Sequence, residues 1–183
     1  MCKLNLFTTI TLALACAALA MTTIPAQAGV LKGHAGTTFT LTPVTFDTSG
    51  NPTKFTHTVD GVVRVFEIGN CTFHADVIVI PPKPNTTDPW LLAGTFRITS
   101  ANGATILNAD AVGTATPDPA NPALFLNFHY DVKFTGGTGA MTNARGTADV
   151  DGFAMFTDGA TGKGKATWLI QGNVATRNHR HND

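Results

Sequence analysis

From Thr37 onward the chain alternates apolar and polar residues with a period of two, interrupted at intervals by clusters of Gly, Pro, Asn and Asp. That period belongs to a strand with one buried and one wet face, and short strands at even spacing between turn signals predict a β-sandwich or a β-barrel. The predicted strands cover residues 37–44, 54–59, 62–68, 71–80, 90–99, 104–116 and 143–156, and end with 165–174. The clearest alternation sets Leu124, Leu126, Phe128, Tyr130, Val132 and Phe134 against Asn127, His129, Asp131 and Lys133. One side of that strand is core and the other faces water. Asp47 to Pro52 and Asp158 to Gly164 read as turns, and Asp60-Gly61 as a tight turn or bulge between two strands. The proline stretches 81–89 and 117–122 cannot continue a central strand. No helical stripe follows the N-terminal segment.

An antiparallel sheet of about eight such strands must protect its edges, and closure into a barrel removes them altogether. The expectation is an all-β fold, an antiparallel eight-stranded barrel over residues 29–176, with a two-sheet sandwich as the alternative. The interior of a barrel of that size is just wide enough to be filled by side chains or to hold one small ligand.

The N-terminus adds an address. Lys3 precedes an apolar run from Leu4 to Ala20, and Ile24-Pro25-Ala26-Gln27-Ala28 precedes Gly29. This is the order of a secretory signal, so residues 1–28 are expected to be removed after Ala28 and the product to be secreted or periplasmic. A retained anchor needs about 20 sustained apolar residues, and Thr8, Thr9, Thr11, Thr22 and Thr23 interrupt the run. Ala13-Leu14-Ala15-Cys16 only loosely matches a lipoprotein signal. No stable membrane span is therefore expected after processing. Cleavage leaves 155 of 183 residues (183 − 28), enough for one domain with a single core. Residues 177–183 read as a frayed tail. Cys2 and Cys16 leave with the signal, so Cys71 cannot make an internal disulfide and is expected to pack as a small hydrophobe.

Composition narrows the function classes. Twelve basic residues balance 12 acidic ones and only 13% of the chain is charged, so electrostatic capture of nucleic acid or an anionic membrane has no basis. With 43% hydrophobic residues, the chain is not a disordered polar segment either.

The segment Phe134-Thr135-Gly136-Gly137-Thr138-Gly139-Ala140-Met141-Thr142-Asn143-Ala144-Arg145-Gly146-Thr147-Ala148 carries a recognisable hairpin pattern. It resembles the Phe-x-Gly-Gly-Thr-Gly-x-Phe-x-x-Ala-x-Gly hairpin of the allene oxide cyclase and dirigent barrels and of small exported bacterial proteins of unknown function. Gly94 to Gly103 and Gly162 to Gly172 fit the bacterial group in order and spacing. The resemblance implies a calycin-like barrel in which Gly136, Gly137, Thr138, Gly139 and Gly146 serve the turn. Met141 stands where the family pattern has an aromatic residue. The acidic and aromatic residues that serve cyclisation or radical coupling in the plant enzymes have no counterpart here, so the resemblance is one of fold.

Chemistry-bearing residues remain. His74-x-Asp76 and His129-x-Asp131 each place an imidazole and a carboxylate on one strand face. If their strands paired, the four groups would offer a metal or acid/base set; since they oppose the apolar faces, exterior positions are expected and no metal or cofactor is. Arg64, Glu67, Arg97, Asp149 and Asp151 fit either a barrel mouth or ordinary outward positions. The aromatics Phe73, Trp90, Phe96, Phe128, Tyr130 and Trp168 are candidate ligand contacts, and with Phe134, Phe153 and Phe156 they form a set that reads either as ligand-contacting or as core. There is no Gly-x-Ser-x-Gly elbow and no His-Glu-x-x-His pattern. These features favour an exported, non-enzymatic barrel that binds a small hydrophobic molecule. An isomerase or cyclase acting on an apolar substrate, and a structural envelope protein that self-associates as a homo-oligomer, are the alternatives.

Overall fold

The computed structural model describes residues 27–65, 68–121 and 125–176. The expected signal segment up to Ala26, the tail from Arg177, Glu67 and Leu124 lie outside the described residues. Eight strands follow one another: β1 (Gln27–Phe46), β2 (Pro52–Val65), β3 (Gly69–Ile80), β4 (Trp90–Ser100), β5 (Ile106–Pro117), β6 (Phe125–Thr138), β7 (Arg145–Asp158) and β8 (Lys163–Thr176). Each pairs antiparallel with the next, and β1 pairs with β8, which closes the barrel and overturns the sandwich alternative. The ladder circles from Phe55 through Val79, Leu92, Gly113, Tyr130, Val150, Ile170 and Gly33 back to β2 at Val65. One circuit thus advances ten residues along β2, from 55 to 65. That stagger is the tilt a barrel needs to close, and it widens the interior.

Buried and exposed residues alternate along the strands; the inward positions are apolar apart from residues such as Thr37 and His57, while the outward ones mix polar residues with exposed hydrophobics such as Val62, Val112 and Leu169. In β3 the alternation is unbroken, with Cys71, Phe73, Ala75, Val77 and Val79 buried and Asn70, Thr72, His74, Asp76 and Ile80 exposed. Burial pushes the Cys71 thiol pKa up, in keeping with its packing role.

Three local expectations are corrected. Asp60-Gly61 is not a turn: both residues lie inside the continuous strand β2, paired with Thr38 and Thr37 on one side and His74 and Phe73 on the other. A Cβ at Gly61 would sit 2.5 Å from the Gly36 carbonyl oxygen and 2.7 Å from Thr37 Cα, so glycine is there for close strand approach. The first strand starts at Gln27 rather than Thr37, so the expected cleavage point falls two residues into it. The glycine-rich hairpin turns later than expected. Gly136, Gly137 and Thr138 still belong to β6, where a register shift opposite Asn108 and Ala109 leaves Thr135 as the extra residue. A single 3-10 turn at Gly139–Met141, with Gly139 at φ 57° and Asn143 at φ 57°, then reverses the chain.

The two ends of the barrel differ. The interior is solid at the end holding the β2–β3, β4–β5 and β6–β7 connections: Leu31, Val65, Leu107 and Phe134 are fully buried, and Met141 of the 3-10 turn and Ala144 after it are buried too, with an open depression among Ile68, Asn70, Ser100 and Thr105 beside them. The opposite end carries the two proline loops and two tight turns. Asp47 Oδ1 accepts the Ser49 and Asn51 amides, Asp118 Oδ1 those of Ala120 and Asn121, and Asp158 Oδ1 those of Ala160 and Thr161. These bonds pin three of the four connections, and the three carboxyl pKa values are held low, that of Asp47 first by the Asn51 amide, that of Asp118 first by the Ala120 amide and that of Asp158 first by the Thr161 hydroxyl, which donates to Oδ2 at 2.6 Å.

Candidate functional site

Between the solid end and the pinned loops lies a cavity, walled by the inward residues of the strand segments nearest those loops. About 60 Å³ of it is open to the centres of water molecules, against roughly 10–15 Å³ for a single water. The space therefore takes a group of several atoms.

All six aromatic residues singled out as ligand contacts stand on its wall. Five of them form one edge-to-face chain. Trp168 meets Phe73 with centroids 4.7 Å apart, Phe73 meets Phe96 at 5.3 Å, Phe96 meets Tyr130 at 5.1 Å and Tyr130 meets Phe128 at 5.8 Å. Each such pair is worth about 0.5–1.5 kcal/mol beyond area burial, so the wall is held in shape by its own contacts. Trp90, at the start of β4, stacks on Phe55 at 6.1 Å. Gly152, paired with both Phe128 and Trp168, lets these two side chains close over its backbone: a Cβ there would come within 2.5 Å of both Phe128 Cζ and Trp168 Cβ. Phe156 also lines the cavity, whereas Phe153 points outward and is 43% exposed, so its grouping with the core is corrected.

None of the residues lining the cavity is charged, and five bear side-chain polar atoms: Thr37, His57, Tyr130 and, through their indole N–H groups, Trp90 and Trp168. The Thr37 hydroxyl donates to the Ala166 carbonyl at 3.3 Å. Burial pushes the Tyr130 hydroxyl pKa up, so it stays protonated. His57 is the residue that sequence reasoning missed. Its Nε2 is buried without a hydrogen-bond partner, the single such side-chain atom among the described residues. Burial lowers its pKa from 6.5 to about 4, so the imidazole is neutral at physiological pH. Phe39 braces it edge-on, with centroids 4.9 Å apart and planes at 81°. A buried unpaired polar atom costs about 1–3 kcal/mol, and such atoms cluster where a ligand or water completes them. The signal was present in the chain: His57 shares the parity of Phe55, Val59 and Val63, the inward face of β2.

The other described histidines, His34, His74 and His129, take outward strand positions. His74 Nδ1 is 2.7 Å from Asp60 Oδ1 across the β2–β3 ladder, and its Nε2 is 3.2 Å from Asp76 Oδ2. His129 Nδ1 is 2.8 Å from Asp151 Oδ1 across β6–β7. These carboxylates, Asp60 first for His74 and Asp151 first for His129, raise both imidazole pKa values. Because β3 pairs with β2 and β4 while β6 pairs with β5 and β7, the two His-x-Asp sets are not brought together. His129, Asp131 and Asp149 do bring ligand-type atoms within 4.8 Å of one another, on an exposed face where acidic groups commonly gather without an ion. Arg64, Arg97, Asp149 and Asp151 are likewise exposed on outward strand positions, away from the cavity. Among the described residues, no helix is long and apolar enough to cross a membrane.

The chain is similar to the solved structure of a pterocarpan synthase dirigent protein, with 14% sequence identity, covering 84% of this chain and 88% of that one at a TM-score of 0.49. A likeness this distant says nothing about what the cavity holds. No family model matches the sequence, and no curated protein matches it.

Proposed function

We propose that this chain is an exported barrel that binds a small hydrophobic molecule in the cavity beside the pinned loops. One observation carries the reading: an uncharged, aromatic-walled space remains inside a barrel whose other end is packed solid. Cavities of that kind, largely preformed and with few polar groups, are where apolar ligands lodge. Export rests on the Lys3 to Ala28 segment. The purified chain titrated with neutral lipophilic fluorophores should show saturable binding. Ala115→Phe, which pushes a ring into the cavity wall, should weaken that binding by about tenfold or more through steric exclusion. Absence of saturable binding across the panel would remove the reading. Sequencing the N-terminus of the released product tests export: Gly29 is the expected first residue, and a chain that keeps Met1 inside the cell would contradict it.

His57 favours a second reading, an isomerase or cyclase acting on an apolar substrate. Such an activity needs a shielded proton-transfer group beside a cavity, and a neutral imidazole supplies one. This reading requires turnover that His57→Phe abolishes while ligand binding survives. Binding without turnover of any bound compound leaves the first reading standing alone.

A further inference from the structure

We infer that His57 is the polar anchor of the cavity, its Nε2 hydrogen-bonding a single neutral oxygen, a hydroxyl or a carbonyl, on an otherwise apolar ring-bearing ligand. The inference rests on the proposed apolar-ligand reading and adds the ligand's chemical class. Nε2 is the one buried side-chain polar atom among the described residues that the fold leaves without a partner. The Thr37 hydroxyl already donates to a backbone carbonyl, and the Tyr130 hydroxyl and the Trp90 and Trp168 indole N–H groups are not among the buried atoms left unpartnered. The anchor is also held in place, because Phe39 stands edge-on against the imidazole and Phe156 stands edge-on against Phe39 at 5.4 Å.

The charge state selects the class. The titratable groups lining the cavity are His57 and Tyr130, and burial keeps both neutral. A carboxylate or ammonium ligand would enter a wall with no opposite charge to compensate its desolvation. A neutral oxygen needs none. The two tautomers of neutral imidazole let Nε2 donate to a carbonyl or accept from a hydroxyl, so both belong to one class. The space exceeds that of a single water, and the surrounding rings of Trp90, Phe128 and Trp168 offer faces and edges on which a planar apolar body stacks.

Calorimetric titration of the purified chain with naphthalene, 2-naphthol and 2-naphthoate tests this at pH 7. Naphthol should bind about tenfold or more tightly than naphthalene, the discrimination that one buried hydrogen bond commonly supplies, and naphthoate should bind weakest. In His57→Phe the naphthol preference should vanish while naphthalene binding persists, and His57→Gln, which keeps a hydrogen-bonding group, should restore part of the preference. Should a variant fail to fold, the ¹⁵N resonance of His57 Nε2 in the unaltered chain must move on addition of naphthol and stay put with naphthalene. Equal binding of naphthol and naphthalene, or a static Nε2 resonance, overturns the anchor and leaves the apolar cavity intact. Tightest binding of naphthoate overturns the neutral class. Failure of all three compounds to bind defeats the proposed function itself.

Discussion

The two ends of this barrel are made from the same alternating strands and are filled in opposite ways. At the solid end Leu31, Val65, Leu107 and Phe134 are fully buried, and the 3-10 turn delivers Met141 as a further apolar plug. At the cavity end Phe55, Trp90, Leu126, Phe128 and Phe156 are only half-buried. The described parts of its connections, pinned by Asp47, Asp118 and Asp158 or rich in proline, contribute nothing to the cavity wall. Strand alternation thus determines which side chains point inward. Whether they meet depends on what the connections bring back over them. Tight packing belongs to the first end, and open space to the second.

The sharpest way to break that comparison is to truncate one ring at each end. Phe134→Ala should cost about 3–5 kcal/mol in urea unfolding, because it opens a void in a packed region. Phe128→Ala borders space that is already empty and should cost less than half as much. Equal losses would show that the ends are equally packed.

Acid should act through the cavity end next. Since the folded pKa of His57 is about 4 and the ordinary value is 6.5, the unfolded chain takes up a proton between those values while the folded chain does not. The stability tied to neutral His57 is therefore fully present above 6.5 and lost as pH falls towards 4, by up to about 3 kcal/mol. His57→Phe should flatten this limb of the stability–pH curve; an unaltered limb would assign the acid sensitivity elsewhere.

Enlargement sharpens the comparison further. Ala148→Phe, at a buried position outside the cavity wall, should overpack and cost about 1–3 kcal/mol. Ala115→Phe has open space beside it and should cost clearly less in the same unfolding assay. The smallest effects belong to the exterior. Asp60→Asn and Asp151→Asn should lower the imidazole pKa values of His74 and His129 in an NMR titration. The sign follows from the raised folded values: what these pairs contribute is present below 6.5 and lost as pH rises through the folded pKa. Both histidines are nearly half exposed, so screening should leave the thermal midpoint almost unmoved.

Much of this molecule was legible in advance, for physical reasons that particular residues show. Phe73, Phe96, Phe128, Tyr130 and Trp168 share the parity of their strands' apolar positions, so their place on the buried face followed from period two alone. The proline loops and the Asp-led turns were readable because proline and the Asx bond act over a few residues. Asp60-Gly61 misled because a glycine beside an aspartate looks the same whether it bends a chain or admits a neighbouring strand; only the approach of Thr37 distinguishes them. The Gly136-Gly137-Thr138-Gly139 run likewise signals a reversal nearby without saying which glycine sits in the strand and which in the turn.

Local alternation and turn chemistry determined the strands and their faces, since these depend on residues two to ten apart; closure, which alternation shares with a sandwich, came from the pairing of β1 with β8. Which end is solid, where space is left, and that His57 alone keeps an unpartnered buried nitrogen among the described residues were decided by tertiary structure. Those outcomes depend on the ten-residue stagger around the barrel, which sets side chains from all eight strands against one another across the interior.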